Sequence, residues 1–300
     1  MSNYLLETNM LTKKYGGKTV VDKVNLHIKK GDIYGLIGPN GAGKTTIMKM
    51  IAGFATPNEG EVSLFTERDR TKRIGALIEE PGMIASFNAF DNLKLKALAM
   101  GVYDKQNILD ILKLVGLAND KKKVGHYSLG MKQRLGIALA LIGHPDFLIL
   151  DEPINGLDPE GILEIRELII KLNREQNITI MISSHILEEL SKVATTFGII
   201  TNGKLIKELT EFELKNESEE KIEIVTPDTG LASSVLENEG IVDYTVVGVD
   251  KIHVYGNDKA IADINKLLVR NDVNVSEIHV IGSSLESFYL SCVNGGKEAC

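Results

Sequence analysis

Apolar positions along the chain fall into three successive patterns. From Leu5 to about Glu80, short apolar runs alternate with turns at Val20–Ile28, Asp32–Ile37, Glu61–Phe65 and Ile74–Ile78. These runs predict strands, interrupted by one amphipathic helix that opens near Lys44. Between about Met83 and Gly136 the spacing becomes helical, with Leu93, Leu95 and Leu98 followed by Ile108, Ile111, Leu112 and Val115. From Leu139 to about Glu208 strand and helix alternate again, as Phe147–Leu150, Gly161–Glu175 and Ile178–Ser183. Unbroken apolar strands set between helices predict an α/β fold whose parallel sheet is covered on both faces.

The pattern changes after Glu208. Glu211, Glu213, Glu217, Glu219 and Glu220 crowd one short stretch, which reads either as a solvated linker or as an exposed helix. Beyond it the spacing predicts strand Lys221–Val225, helix Leu231–Glu239, strands Asp243–Val247 and Lys251–Tyr255, helix Lys259–Arg270 and strand Val275–Ile281. Ser283 and Glu286 form a capping box that opens a last helix. The order βαββαβ matches a small ferredoxin-like α+β unit. The expected organisation is a first domain over 1–208, with a helical subdomain at about 83–136, and an appendage over 209–300.

Composition narrows the setting. At 300 residues, 43% of them hydrophobic, the chain buries a full core without covalent staples. Its two cysteines, Cys292 and Cys300, exclude a disulfide framework and point to a reducing cytoplasm. Met1–Met10 lacks the apolar core of a signal peptide. No apolar run approaches the roughly 20 residues of a membrane helix, so another polypeptide would supply any membrane part. A net charge of −7 argues against a nucleic-acid partner.

Two segments carry chemistry. Gly38-Pro39-Asn40-Gly41-Ala42-Gly43-Lys44-Thr45 fits G-x-x-x-x-G-K-[ST] between an apolar strand and a helix. Its glycines let backbone N–H groups converge on phosphates, at the positive end of the helix dipole. Lys44 would neutralise the β- and γ-phosphates, and the Thr45 hydroxyl would coordinate Mg²⁺. The second segment, Phe147–Leu150 followed by Asp151 and Glu152, puts two carboxylates at the edge of a parallel sheet where ligands bind. Asp151 is placed to hold Mg²⁺, and Glu152 to act as general base on the attacking water.

With these residues the chain resembles the ABC (ATP-binding cassette) ATPases, and further markers fall in that family's order. Tyr15 stands where the family has an adenine-stacking aromatic, although a core tyrosine of the first strand is the other reading. Ser128-Leu129-Gly130-Met131-Lys132-Gln133-Arg134 resembles the signature motif, ahead of a helix expected to begin near Leu135. Asn155–Asp158 resembles the D-loop, and His185 the switch histidine. The resemblance spans about Leu5 to Glu208. It implies a mixed sheet with a RecA-like core, and ATP and Mg²⁺ bound by Gly38–Thr46, including Thr46. It also implies a second cassette, expected to be an identical copy, whose Ser128 and Gly130 complete each site in trans. Asp158 joins the nucleotide set, and His185 contacts the γ-phosphate.

Two positions depart from the family pattern. Leu129 replaces the first of two signature glycines, and Glu79 replaces a glutamine that senses the metal and the water. Glu79 is therefore a candidate metal ligand. Together with Tyr127–Gly136 it resembles one branch, the bacitracin-type and lantibiotic-immunity exporters. That likeness implies a separate membrane permease, antimicrobial-peptide export and a place on the inner face of the cell membrane. Phe87 and Phe90 read equally as permease contacts or as core aromatics. The competing reading is a soluble ATP-driven switch acting on nucleic acid or ribosomes. Such relatives carry paired cassettes or a coiled-coil insertion, and this acidic chain has neither.

Overall fold

The computed structural model describes residues 4–64, 73–79, 82–118, 120–218, 221–255, 261–281 and 285–295. The expected roles of Glu80 and Ser283, and the end of the strand at Phe65, lie outside the described residues. Contacts divide the chain into two units, one reaching Glu211 and the other covering Phe212–Gly295.

In the first unit, β1 (Tyr4–Tyr15) is the spine of an antiparallel sheet. Its first half pairs with β3 (His27–Lys29) and with β5 (Glu59–Leu64), and its second half with β2 (Lys18–Val24). The single strand expected over Val20–Ile28 is therefore two strands. The break sits at Leu26, whose backbone N–H donates to Thr8 Oγ1 at 2.8 Å as the chain crosses from one half of β1 to the other.

A six-stranded sheet forms the centre, in the order β10-β9-β4-β8-β7-β6. Its members are β4 (Ile33–Ile37), β6 (Ile74–Leu77), β7 (Phe147–Leu150), β8 (Thr179–Ser184), β9 (Thr196–Thr201) and β10 (Lys204–Thr210). All neighbours run parallel except the β9–β10 hairpin. Every residue of β4, β7 and β8 is buried, as strands covered on both faces require. Tyr34 of β4 is wholly buried and donates its phenol to Glu208 Oε1 at 2.7 Å, while Glu208 Oε2 meets His27 Nδ1 at 2.8 Å. This cluster ties the two sheets together. Burial first, and then the Glu208 charge, hold the Tyr34 phenol well above its usual pKa.

Five of this unit's helices lie between the strands: α1 (Lys44–Ile51), α2 (Ala89–Ala99), α3 (Lys105–Leu114), α4 (Leu129–Leu141) and α5 (Pro159–Gln176). A short α6 (Leu187–Ser191) follows β8. The ends of α5 follow directly from sequence. Asp158 Oδ1 accepts the Gly161 N–H, proline opens the first turn, and Asn177 closes the helix at φ 54°. Helix α4 starts at Leu129, not near Leu135, because Ser128 caps it by accepting the Met131 N–H at 3.3 Å. Its residues Leu135–Leu141 are all buried, the mark of a helix inside a core. Leu95 and Leu98, expected in an apolar helix face, are exposed on α2, whereas Leu93 is buried.

The second unit opens with α7 (Glu211–Ser218). It runs β11 (Lys221–Val225), α8 (Thr229–Asn238), β12 (Tyr244–Val247), β13 (Lys251–Tyr255), α9 (Ile261–Arg270), β14 (Glu277–Ile281) and α10 (Leu285–Gly295). The four strands are antiparallel in the order β12-β13-β11-β14, the connectivity of a ferredoxin-like sheet. Strand alternation sends Ile222, Ile224, Ile252 and Val254 to a core shared with Ala232, Leu236, Ile264 and Leu268. On the other face Glu223 stands between His253 and His279, with Nε2 atoms at 2.9 and 3.5 Å, and beside Lys251 at 3.1 Å.

Candidate functional site

The site lies where β4, β7 and β8 end. After Ile37 the chain curls through Gly38–Gly43 into α1, with Gly41 at φ 80° and Gly43 at φ 108°, conformations that favour glycine. A Cβ at Gly38 would run into the Ile200 carbonyl oxygen, so this loop can lie against β9 only with glycine there. The loop and the first turn of α1 line a cavity of about 170 Å³ together with Val20 and Glu152. Asn40, Gly41, Ala42, Gly43, Lys44, Thr45 and Thr46 all contribute to its wall.

Lys44 is buried within the loop, donating from Nζ to the Gly38 carbonyl at 2.7 Å and lying 3.2 Å from Glu152 Oε1. The Thr45 hydroxyl donates to Asp151 Oδ2 at 2.8 Å. Ser183 of β8 donates to Asp151 Oδ1 at 2.6 Å and accepts the Glu152 N–H at 2.8 Å. Glu152 itself stands at φ 45°, unusual for a non-glycine residue, and Ser183 holds it there. Its second carboxylate oxygen is 3.0 Å from His185 Nδ1. Glu152 thus bridges the loop lysine and the histidine beyond β8, with Asp151 beside it.

The remaining sequence candidates sit apart from this cluster. Glu79, at φ 60°, accepts from Lys49 Nζ of α1 at 2.6 Å. Tyr15 ends β1 half-exposed, with the Lys13 ammonium 5.1 Å from its ring centre, and it does not line the phosphate cavity. Ser128, exposed, and Gly130 lie in the first turn of α4, and Asp158, also exposed, caps α5. Leu129 is half-exposed and packs towards Gly156, where an added Cβ would lie 3.3 Å from its Cδ2. Ser183 and Lys49 were not among the sequence candidates. The only signal for Ser183 was a hydroxyl closing an apolar strand two residues ahead of His185.

Chemically, the glycine cradle and Lys44 suit a chain of phosphates. Thr45 Oγ1 and the Asp151 carboxylate are the hard oxygen donors that Mg²⁺ prefers. Glu152 offers a base next to them.

Comparison with known proteins places these features in context. The ABC transporter family profile matches residues 21–155. The chain is 42% identical to the bacitracin transport ATP-binding protein BcrA of Bacillus licheniformis, over 97% of this chain and 98% of that one. It is 48% identical to the lantibiotic transport ATP-binding protein SrtF of Streptococcus pyogenes, over 68% of this chain but 90% of SrtF. Among solved structures, a dimeric post-hydrolysis state of the ATP-binding cassette MJ0796, bound to ADP and Pi, superimposes with a TM-score of 0.60 at 25% identity. That match covers 69% of this chain and 98% of MJ0796.

Proposed function

This chain belongs to the ABC transporter ATP-binding family, and from that premise we propose that two copies close around ATP to drive a membrane permease that exports antimicrobial peptides. The observation that carries the reading is the joined set Lys44, Thr45, Asp151, Ser183, Glu152 and His185. It puts a phosphate cradle, two hard oxygen donors and a general base within one cluster. BcrA and SrtF supply the substrate class, since both are named for peptide-antibiotic transport. Among the described residues no helix is long and apolar enough to cross a membrane, so a separate subunit provides the passage.

In this reading the amides of Gly41–Thr45 bind the β- and γ-phosphates and Lys44 neutralises their charge. Thr45 Oγ1 and Asp151 hold Mg²⁺, which supplies charge neutralisation on the transferred phosphoryl group. Glu152 takes the proton of the attacking water, and His185 holds the Glu152 carboxylate in place and faces the γ-phosphate. Ser128 and Gly130 stand at the N-terminus of α4, where free backbone N–H groups meet the γ-phosphate of the facing copy. The dimeric post-hydrolysis state of the MJ0796 cassette, bound to ADP and Pi, supports a cassette that works as a dimer. Glu79, paired with Lys49, sits at the start of the helical subdomain and couples nucleotide state to the permease on the inner membrane face.

The test uses tagged Glu152→Gln protein in its native cell, with membranes extracted in detergent and Mg-ATP. A multi-spanning protein should co-purify in near-equal amount, and cells lacking the chain should become sensitive to a bacitracin-type or lantibiotic peptide. Co-purification with ribosomes or nucleic acid, and unchanged peptide sensitivity, would overturn the proposal.

A further inference from the structure

The sheet of the second unit ends in two edges of different character. At one end, β14 carries Glu277 and His279, polar side chains of the kind that keep an edge from pairing with a foreign strand. At the other end, β12 reads Tyr-Thr-Val-Val and holds no charged residue, no proline and no bulge against β13. Val246 is 45% exposed, and Val242 and Val249 on either side of the strand are 74% and 86% exposed. Among the described residues no strand pairs with the outer side of β12.

The backbone fixes which groups face outward. The Tyr255 N–H donates to the Asp243 carbonyl at 2.9 Å, and the same register continues through Thr245–His253 and Val247–Lys251. Bonded pairs alternate in an antiparallel ladder, so Tyr244 and Val246 turn their N–H and C=O groups away from β13. A strand edge is completed by another strand, which brings the same groups from the opposite direction. A second copy of β12 does this by two-fold symmetry. Only with Thr245 on the axis do both outward residues of one copy meet both of the other, Tyr244 against Val246 twice, for four hydrogen bonds. The same register sets Asp243 opposite Val247 of the second copy, whose cross-strand neighbour is Lys251. Each acid thereby shares a cross-strand row with a base of the other copy.

We propose that two copies of this chain pair through β12, antiparallel about Thr245, joining their four-stranded sheets edge to edge. The contact uses none of the nucleotide-site residues, so it forms without ATP and does not depend on the transporter reading. Four residues a side make a small contact beside the roughly 800 Å² per partner of a standard interface. The pairing is therefore weak and reversible. The competing account is that β12 stays unpaired because it is short.

The experiment uses the purified full chain with Cys292→Ser and Cys300→Ser, so that an introduced cysteine has no other in its own chain to react with. Thr245→Cys puts two thiols on the axis, at the Cα spacing of about 4.5 Å of a non-bonded antiparallel pair. Mild oxidation without nucleotide should then give a covalent dimer. Val247→Cys should not, because its symmetry mate lies four residues along the strand, about 14 Å away. Val246→Pro added to Thr245→Cys removes the outward N–H donor of each copy and leaves the β13 ladder alone. It should slow dimer formation about tenfold. Val247→Asp, which sets an acid opposite Asp243, should slow it as well, and Asp243→Lys added to that variant should restore the rate. This rescue separates lost pairing from lost folding. Ser128→Arg, which blocks closure around ATP, should leave the cross-link intact. Equal cross-linking at positions 245 and 247, or none at either, would overturn the inference, as would a Thr245→Cys chain that links in cell extract only to a different protein. The transporter reading would survive that result, since ATP-dependent dimerisation of the Glu152→Gln chain tests it separately.

Discussion

The two units of the chain use charge in opposite ways. In the cassette, charged groups gather at one site: Glu152 lies 3.2 Å from Lys44 at the start of α1 and 3.0 Å from His185, and the hydroxyls of Thr45 and Ser183 tie Asp151 to them. In the second unit a cluster of Glu223 with His253, His279 and Lys251 lies across neighbouring strands on the face of a sheet. Among the described residues no set of three His, Cys, Asp or Glu side chains is arranged to hold a metal ion. The first cluster is built to meet a ligand, and the second satisfies itself through cross-strand pairs.

The largest expected effect is at Glu152. Glu152→Gln should slow ATP hydrolysis by about 10²–10⁴-fold with ATP binding retained, measured by single-turnover kinetics. The matching change in the second unit, Glu223→Gln, should leave hydrolysis unaltered. Equal losses from the two changes would erase the contrast.

Glycines sharpen it next. Gly38→Ala forces a methyl group into the Ile200 carbonyl and should destabilise the cassette by about 3 kcal/mol, seen as a lower melting temperature and lost ATP binding. Gly240→Ala in the second unit meets no atom within 4 Å, so only its φ of +77° is strained, at about 1 kcal/mol. A Gly240 variant as damaged as the Gly38 variant would show that the second unit is packed as tightly around its turns as the cassette is.

Ser183→Ala removes the hydroxyl that links Asp151 to the Glu152 backbone. Hydrolysis should fall about tenfold, one hydrogen bond to a charged group, with little change in ATP affinity. A variant that loses affinity and keeps its turnover would place Ser183 in binding instead of in positioning the base.

The smallest effect concerns acid. Hydrogen bonds from His253 and then Lys251 hold the Glu223 carboxyl below its ordinary pKa of 4.5. A group depressed in the folded state stabilises above its unfolded pKa, and that contribution is lost as pH falls through the folded value. Amide protection of β11 should therefore weaken below about pH 4.5 in wild type. Glu223→Gln should lack this decline, and an equal decline in both would remove Glu223 as its source.

Much of the site was legible because its parts are local. The phosphate loop and the strand ending in Asp151 and Glu152 each declare themselves within a few residues, between elements whose periodicity is plain. What joins them is not local. Thr45 meets Asp151 across 106 positions of sequence, and Tyr34 meets Glu208 across 174. No periodicity in either segment reports such a pair, so Ser183 and the Lys49 partner of Glu79 appear only once the strands are laid side by side. The early start of α4 was hidden for a different reason. Apolar spacing marks the buried turns from Leu135 onward, whereas the polar first turn is set by the Ser128 cap. In the second unit, alternation alone located β11 and β13, because each turns its isoleucines and valine at every second position to a core while largely polar residues take the other face.

The central claim is that each ATP site is shared between two copies of this chain. Lys44→Ala disables a site in cis, and Ser128→Arg disables the facing site in trans, so each variant alone should be nearly inactive. Mixed in equal amounts, half the dimers would carry one of each chain and one intact site, and activity should return to about a quarter of wild type. Mixtures that stay as inactive as the separate variants would contradict the shared site and return the chemistry to a single chain.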